Sequence, residues 1–70
     1  MVLLRKRSLN LAGHETSVAL EQEFWSALEE WALQDCLSIA ALVRQIDAER
    51  ADRPLASACR IAALGYAARR

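Results

Sequence analysis

The chain is poor in the residues that break, cross-link or ligate. It has one proline, two glycines, two cysteines and one histidine in 70 residues. So few chain-breakers exclude a collagen-like or loop-dominated protein. Cys36 and Cys59 lie far apart, with no CxxC pair and no companion histidines, which excludes a zinc site of the Cys/His kind and a disulfide framework. Each sits among apolar residues and is expected to be a reduced, buried small side chain. No apolar run approaches the ~20 residues that span a bilayer. Met1-Val2-Leu3-Leu4-Arg5-Lys6-Arg7 places its charges after the apolar residues, the reverse of a signal peptide. A cytoplasmic protein with no membrane partner is expected. There is no glycine-rich phosphate loop and no nucleophile motif. Glu29 and Glu30 are adjacent and diverge by about 100° on a helix, so they make no acid–base pair. Neither an enzyme nor a cofactor nor a metal site is expected.

An excess of one charge is also missing: nine Lys and Arg balance nine Asp and Glu. The distribution is uneven, and binding depends on the local field rather than on the sum. Arg5-Lys6-Arg7 is a basic cluster. Glu21, Glu23, Glu29, Glu30 and Asp35 make the next region acidic, and Arg60, Arg69 and Arg70 make the last one basic.

What is present is apolar periodicity. Glu15 to Leu20 alternates with period two, the pattern of a half-buried strand. Thr16, Val18 and Leu20 share one face, and Glu15, Ser17 and Ala19 share the other. Residues 1–7 read as a basic flexible arm. Ser8 to Ala12 alternates weakly, and Gly13 ends or bends it; the segment reads equally as an outer extension of the ribbon or as an ordered arm, so residues 8–70 form one domain with a single good strand. A strand needs partners for its N–H and C=O groups, and a core this small needs support from outside. With disulfides and metals set aside, the expected partner is the same strand of a second copy, in an obligate homodimer. Such a two-stranded ribbon fits the major groove of double-stranded DNA.

Three helices follow. The first runs from about Glu21 to Gln34, with Glu21 and Glu23 favouring the helix dipole. Phe24, Leu28, Trp31 and Ala32 follow the spacing of one buried face, with Trp25 at its margin. A break at Asp35-Cys36-Leu37 precedes Ser38, a good N-cap. Ile39, Leu42, Val43 and Ile46 then repeat at helical spacing. Asp47 to Arg53 holds the helix end and a linker. Pro54 fits the first turn of a third helix, along which Leu55, Ala58, Cys59, Ala62 and Tyr66 form an apolar stripe. The fold class is therefore mostly α, with one short strand per chain, two helices and a C-terminal third. The expected dimer core is Thr16, Val18, Leu20, Phe24, Leu28, Trp31, Leu42, Val43 and Ile46.

This order resembles the ribbon-helix-helix family of DNA-binding dimers, of the Arc and MetJ type. Arg5-Lys6-Arg7-Ser8, Ala12-Gly13-His14, Thr16-Ser17 and Glu23-Phe24-Trp25 are similar to blocks of a small proteobacterial subfamily. Leu37 to Leu42 and Leu55 to Ala58 are similar to its later blocks. The resemblance implies a small bacterial transcriptional regulator, a repressor, whose ribbon lies in the major groove. It implies that Glu15, Ser17 and Ala19 face the bases. It also implies that the backbone amides at Ser38 and Ile39 hold a phosphate, as helix N-termini do. Arg5, Lys6 and Arg7 would supply charge along the DNA backbone. The ribbon departs from a strong reader: Glu15 repels phosphates, and Ala19 offers only a methyl contact. Two alternatives follow. One is an antitoxin-like module that binds DNA and takes a protein partner through the C-terminal helix. The other is an adaptor dimer that has lost DNA binding.

Overall fold

Ala12 and Gly13 both take positive φ, 54° and 88°, and reverse the chain in a two-residue loop. Left-handed backbone at both central residues matches the twist of a β-hairpin. The Asn10 side-chain oxygen accepts from the Gly13 amide at 2.9 Å and closes the turn. The computed structural model describes residues 3–69. Met1 and Val2 of the expected arm and Arg70 of the basic tail lie outside them. On either side of the turn stand β1 (Leu4–Leu11) and β2 (His14–Glu21), paired antiparallel from Leu4↔Glu21 to Leu11↔His14.

This corrects the expectation of one strand per chain. β2 finds its partner in its own chain, so the reasoning that a lone strand compels a dimer does not apply. It also places Arg5, Lys6 and Arg7 inside β1 rather than in a loose arm. The rest of the expected fold class stands: a ribbon followed by helices, mostly α, with a third helix at the C-terminal end. The helices are α1 (Gln22–Gln34), α2 (Ile39–Glu49) and α3 (Leu55–Arg69).

One face of the hairpin lies on the helices. Leu9, Leu11, Val18 and Leu20 point inward and meet Trp25, Leu28 and Ala32 of α1, Leu42, Val43 and Ile46 of α2, and Ala58, Cys59 and Ala63 of α3. The buried face of α1 is turned from the expected one. Trp25 is fully buried, while Phe24 and Trp31 are only partly covered. The hairpin explains the shift: the Trp25 indole N–H donates to the Arg5 carbonyl at 2.8 Å, and the Arg7 guanidinium lies 4.7 Å over the ring. Trp31 stacks on Tyr66 at 5.4 Å, which ties α1 to α3. Among the described residues no buried side-chain polar atom lacks a hydrogen-bond partner.

Helix ends follow local chemistry. Cys36, at φ 57°, takes the left-handed position after α1, and the Leu37 amide closes back on the Ala32 carbonyl at 2.8 Å, a C-terminal closure that usually uses glycine. This exposes Cys36, against the expectation of burial. Cys59 is buried, and burial, with Asp47 nearby, pushes its thiol up to about 11. Pro54 stands one position before α3, where its carbonyl accepts from the Ala58 amide at 2.9 Å. No described helix is long and apolar enough to cross a membrane.

Candidate nucleic-acid interface

The hairpin's outer face is built from alternation. Because Leu9, Leu11, Val18 and Leu20 turn inward, their neighbours turn out. Register brings Lys6 opposite Ala19, Ser8 opposite Ser17, and Asn10 opposite Glu15. All are exposed except Ala19, which is half-buried. The two serine hydroxyls approach to 3.4 Å. The face is therefore mostly polar, with Leu4 at its far end. Its donors and acceptors are a lysine ammonium, an asparagine amide and two hydroxyls, groups that bond base edges and phosphates alike, and the Glu15 carboxylate, which accepts from bases but repels phosphates.

The expected site residues separate on this frame. Glu15, Ser17, Ala19 and Lys6 share the outer face. Arg7 does not: it pairs in register with Val18 on the inner side, where it binds Glu29 at 2.8 Å and covers Trp25. Arg5 lies at the open end of the inner side, exposed, opposite Leu20. Of the Arg5-Lys6-Arg7 cluster, only Lys6 faces outward with the serines.

Ser38 caps α2. Its hydroxyl accepts from the Ala41 amide at 3.0 Å, and its carbonyl accepts from the Leu42 amide at 3.0 Å. The amides of Ile39 and Ala40 at the helix opening have no acceptor within the helix, while the Ile39 side chain packs on the core. This helix end stands beside β1. Asn10, Ser38, Ala40, Ala41 and Arg44 line one small cleft of about 220 Å³. The sequence reading missed Ser8, Asn10 and Arg44. The signal for Arg44 was available, since it lies six residues past the cap and on the wet side of α2. Ser8 and Asn10 lie in the weakly alternating segment that the sequence leaves open between a ribbon extension and an arm.

Glu21 closes the outer edge of β2. Its carboxylate accepts from Arg60 of α3 at 2.9 Å. Its own backbone amide and then Arg60 hold the carboxyl below its ordinary value. This pair fastens the end of the hairpin to α3. The expected core residues Val18, Leu20, Leu28, Leu42, Val43 and Ile46 are buried, whereas Thr16, Phe24 and Trp31 are partly covered, and all lie within one chain. A second concavity of about 560 Å³ lies away from the hairpin, between α2 and α3, where Trp31, Leu42, Ile46 and Ile61 form its walls. Among the described residues no group of three or more His, Cys, Asp and Glu stands together to hold a metal.

The model of a ribbon-helix-helix domain matches residues 4–67, nearly the whole chain, and the chain belongs to that family of DNA-binding regulators. No curated protein and no solved structure matches it. The matched span begins with the first residue of β1 and ends two residues before the end of α3, so it takes in the hairpin, α1, α2 and most of α3.

Proposed function

We propose that this chain is a small cytoplasmic bacterial transcriptional regulator, a repressor, that binds double-stranded DNA as a homodimer. The outer face of the hairpin turns to the major groove, and the start of α2 holds a phosphate. The observation that carries this reading is the hairpin's division into two faces. One packs Leu9, Leu11, Val18 and Leu20 into the core, and the other presents Lys6, Ser8, Asn10, Glu15 and Ser17 to solvent beside an anion-favouring helix end. A ribbon of this form enters the major groove, and helix N-termini take phosphates. In the dimer, β2 pairs with β2 of the second copy, and Thr16, Val18 and Leu20 extend the core beneath the shared sheet with Phe24, Leu28, Trp31, Leu42, Val43 and Ile46. The Ala12-Gly13-His14 block and the start Phe24-Trp25 support the proteobacterial subfamily that carries such blocks.

The experiment is a fluorescence titration of random 20-base-pair duplexes and of the chain's own promoter DNA at two salt concentrations. Binding should weaken steeply with salt, because neutralised phosphates release counterions. Glu15→Arg should tighten it, since a repulsive charge leaves the groove face and a guanine contact worth about 1–3 kcal/mol of discrimination becomes available. Absence of salt-dependent binding by either protein, in the presence of a stable dimer, favours the adaptor reading.

A second reading draws on α3. Ile61 is half exposed and Leu64 two-thirds exposed, a short apolar strip on a helix otherwise packed against α1 and α2. This favours an antitoxin-like module whose C-terminal helix takes a protein partner. Co-purification of a second protein that Leu64→Lys abolishes would support it.

A further inference from the structure

We propose that the concavity between α2 and α3 binds a free α-amino acid with a large apolar side chain. This site is separate from the DNA-binding reading and does not rest on it.

The concavity holds about 560 Å³, within the ~300–1,000 Å³ of sites that take small molecules. Trp31, Leu42, Ile46 and Ile61 form its apolar walls, which suit one apolar side chain. No residue of β1 or β2 lines it, so it stands apart from the surface assigned to DNA. Trp31 is held from two sides. It stacks on Tyr66 at 5.4 Å, and its indole N–H donates to Asp35 at 3.0 Å. That wall is therefore formed before any ligand arrives.

The mouth carries charges of both signs: Glu49, Arg50 and Arg53 line it as well. Arg50 is largely engaged, since its Nε pairs with Asp47 and its Nη1 donates to the Arg53 carbonyl at 2.8 Å. Glu49 and Arg53 are exposed, and neither side chain forms an ion pair among the described residues. One unengaged anion and one unengaged cation remain. The backbone has the same polarity. Glu49 is the last residue of α2, and Arg53 stands two residues before α3. The closing carbonyls of a helix carry partial negative charge, and the opening amides of a helix carry partial positive charge.

An apolar α-amino acid answers all three features. Its ammonium meets Glu49 and the end of α2, its carboxylate meets Arg53 and the opening of α3, and its side chain enters between the apolar walls. An acid without the ammonium would set its charge beside Glu49 with nothing to offset the repulsion. An amine without the carboxylate would do the same beside Arg53. The loop between the two charges is also fixed. Ala51, which lines the concavity, takes φ 54°, a left-handed backbone uncommon outside glycine. The Arg53 amide donates to the Arg50 carbonyl at 3.0 Å. Backbone held in this way clusters at ligand sites.

The test is a titration of the isotope-labelled full chain with L-phenylalanine, hydrocinnamate and phenethylamine, followed by the indole N–H resonances of its two tryptophans. The two analogues lack the ammonium and the carboxylate in turn. L-Phenylalanine should move the Trp31 signal and leave that of Trp25, which is fully buried against the hairpin. It should bind about fivefold more tightly than either analogue, the scale of one exposed ion pair. Glu49→Gln should erase the preference over hydrocinnamate only, and Arg53→Gln the preference over phenethylamine only. Both side chains are exposed, so both variants should fold, and an unchanged Trp25 signal checks this. Hydrocinnamate binding as tightly as L-phenylalanine makes the concavity a plain anion site and overturns the assignment. No movement of the Trp31 signal up to the solubility limit of L-phenylalanine, or equal movement of both signals, overturns the site itself.

Discussion

Trp25 links the hairpin to the helical layer more than any other side chain. It is fully buried, its indole N–H bonds the Arg5 carbonyl, and its ring carries the Arg7 guanidinium. Trp25→Phe keeps an aromatic ring and removes the donor, leaving a carbonyl without its partner. A loss of about 1–3 kcal/mol is expected, measured as a lower urea midpoint. An unchanged midpoint would mean that the hydrogen bond contributes nothing. The neighbouring Arg7–Glu29 pair is a third to a half exposed, so its own contribution is held to under about 1 kcal/mol. At Glu21 the sign with pH is fixed by chemistry. Its carboxyl is depressed by its own amide and by Arg60, so the stability it contributes is present above the unfolded value near ~4.3. That contribution is lost as pH falls through the lower folded value. Between pH 5 and pH 3, Glu21→Gln should lose less stability than the parent. Equal acid sensitivity would show that the Glu21–Arg60 contact does not hold the hairpin.

Among the elements, the hairpin depends on its turn. Gly13 sits at φ 88°, and a Cβ there would meet nothing within 4 Å. The cost of Gly13→Ala is thus one of backbone strain, about 1–2 kcal/mol. Gly13→Asn should cost less, because asparagine tolerates left-handed backbone. Faster amide exchange across β1 and β2, with α1 and α2 unaffected, is the expected readout. Uniform exchange throughout would show that the hairpin is not a separate unit. The turn is also where sequence reading stopped short. The helices were legible because their apolar spacing and the Ser38 cap are local signals. β1 was legible only in part: the weak alternation from Ser8 fitted an outer extension of the ribbon or an arm, and the three cations before it read as a solvated run. In the fold Arg7 joins the inner row with Leu9 and Leu11, its guanidinium over Trp25, as long basic side chains can cover apolar surface with their charge at the edge. Two alternating runs around Ala12-Gly13 were the available sign. In α1, Leu28 and Ala32 are buried as expected, but Trp25 rather than Phe24 and Trp31 is the fully buried aromatic, because the hairpin supplies its hydrogen-bond acceptor. In α3 the expected stripe holds: Ala58, Cys59 and Tyr66 are buried, Leu55 and Ala62 partly so, and Ala63 is buried beside them.

At the scale of the whole molecule, one chain completes a two-stranded ribbon and covers its inner face with three helices. The obligate dimer inferred from a lone strand loses its physical basis. The reason for a dimer shifts to the open edge of β2 and to the narrow outer face, which in one copy offers few groups to DNA. Val18 is nearly fully buried in the core of the single chain, so Val18→Asp would bury an unpaired charge, and such changes are strongly destabilising. The measurement that tests the central claim most directly is native mass spectrometry of the protein with a 20-base-pair duplex drawn from its own promoter. The account predicts complexes of two chains per duplex, dispersed by raised salt. Complexes of one chain per duplex, or free duplex beside intact protein at low salt, would contradict it.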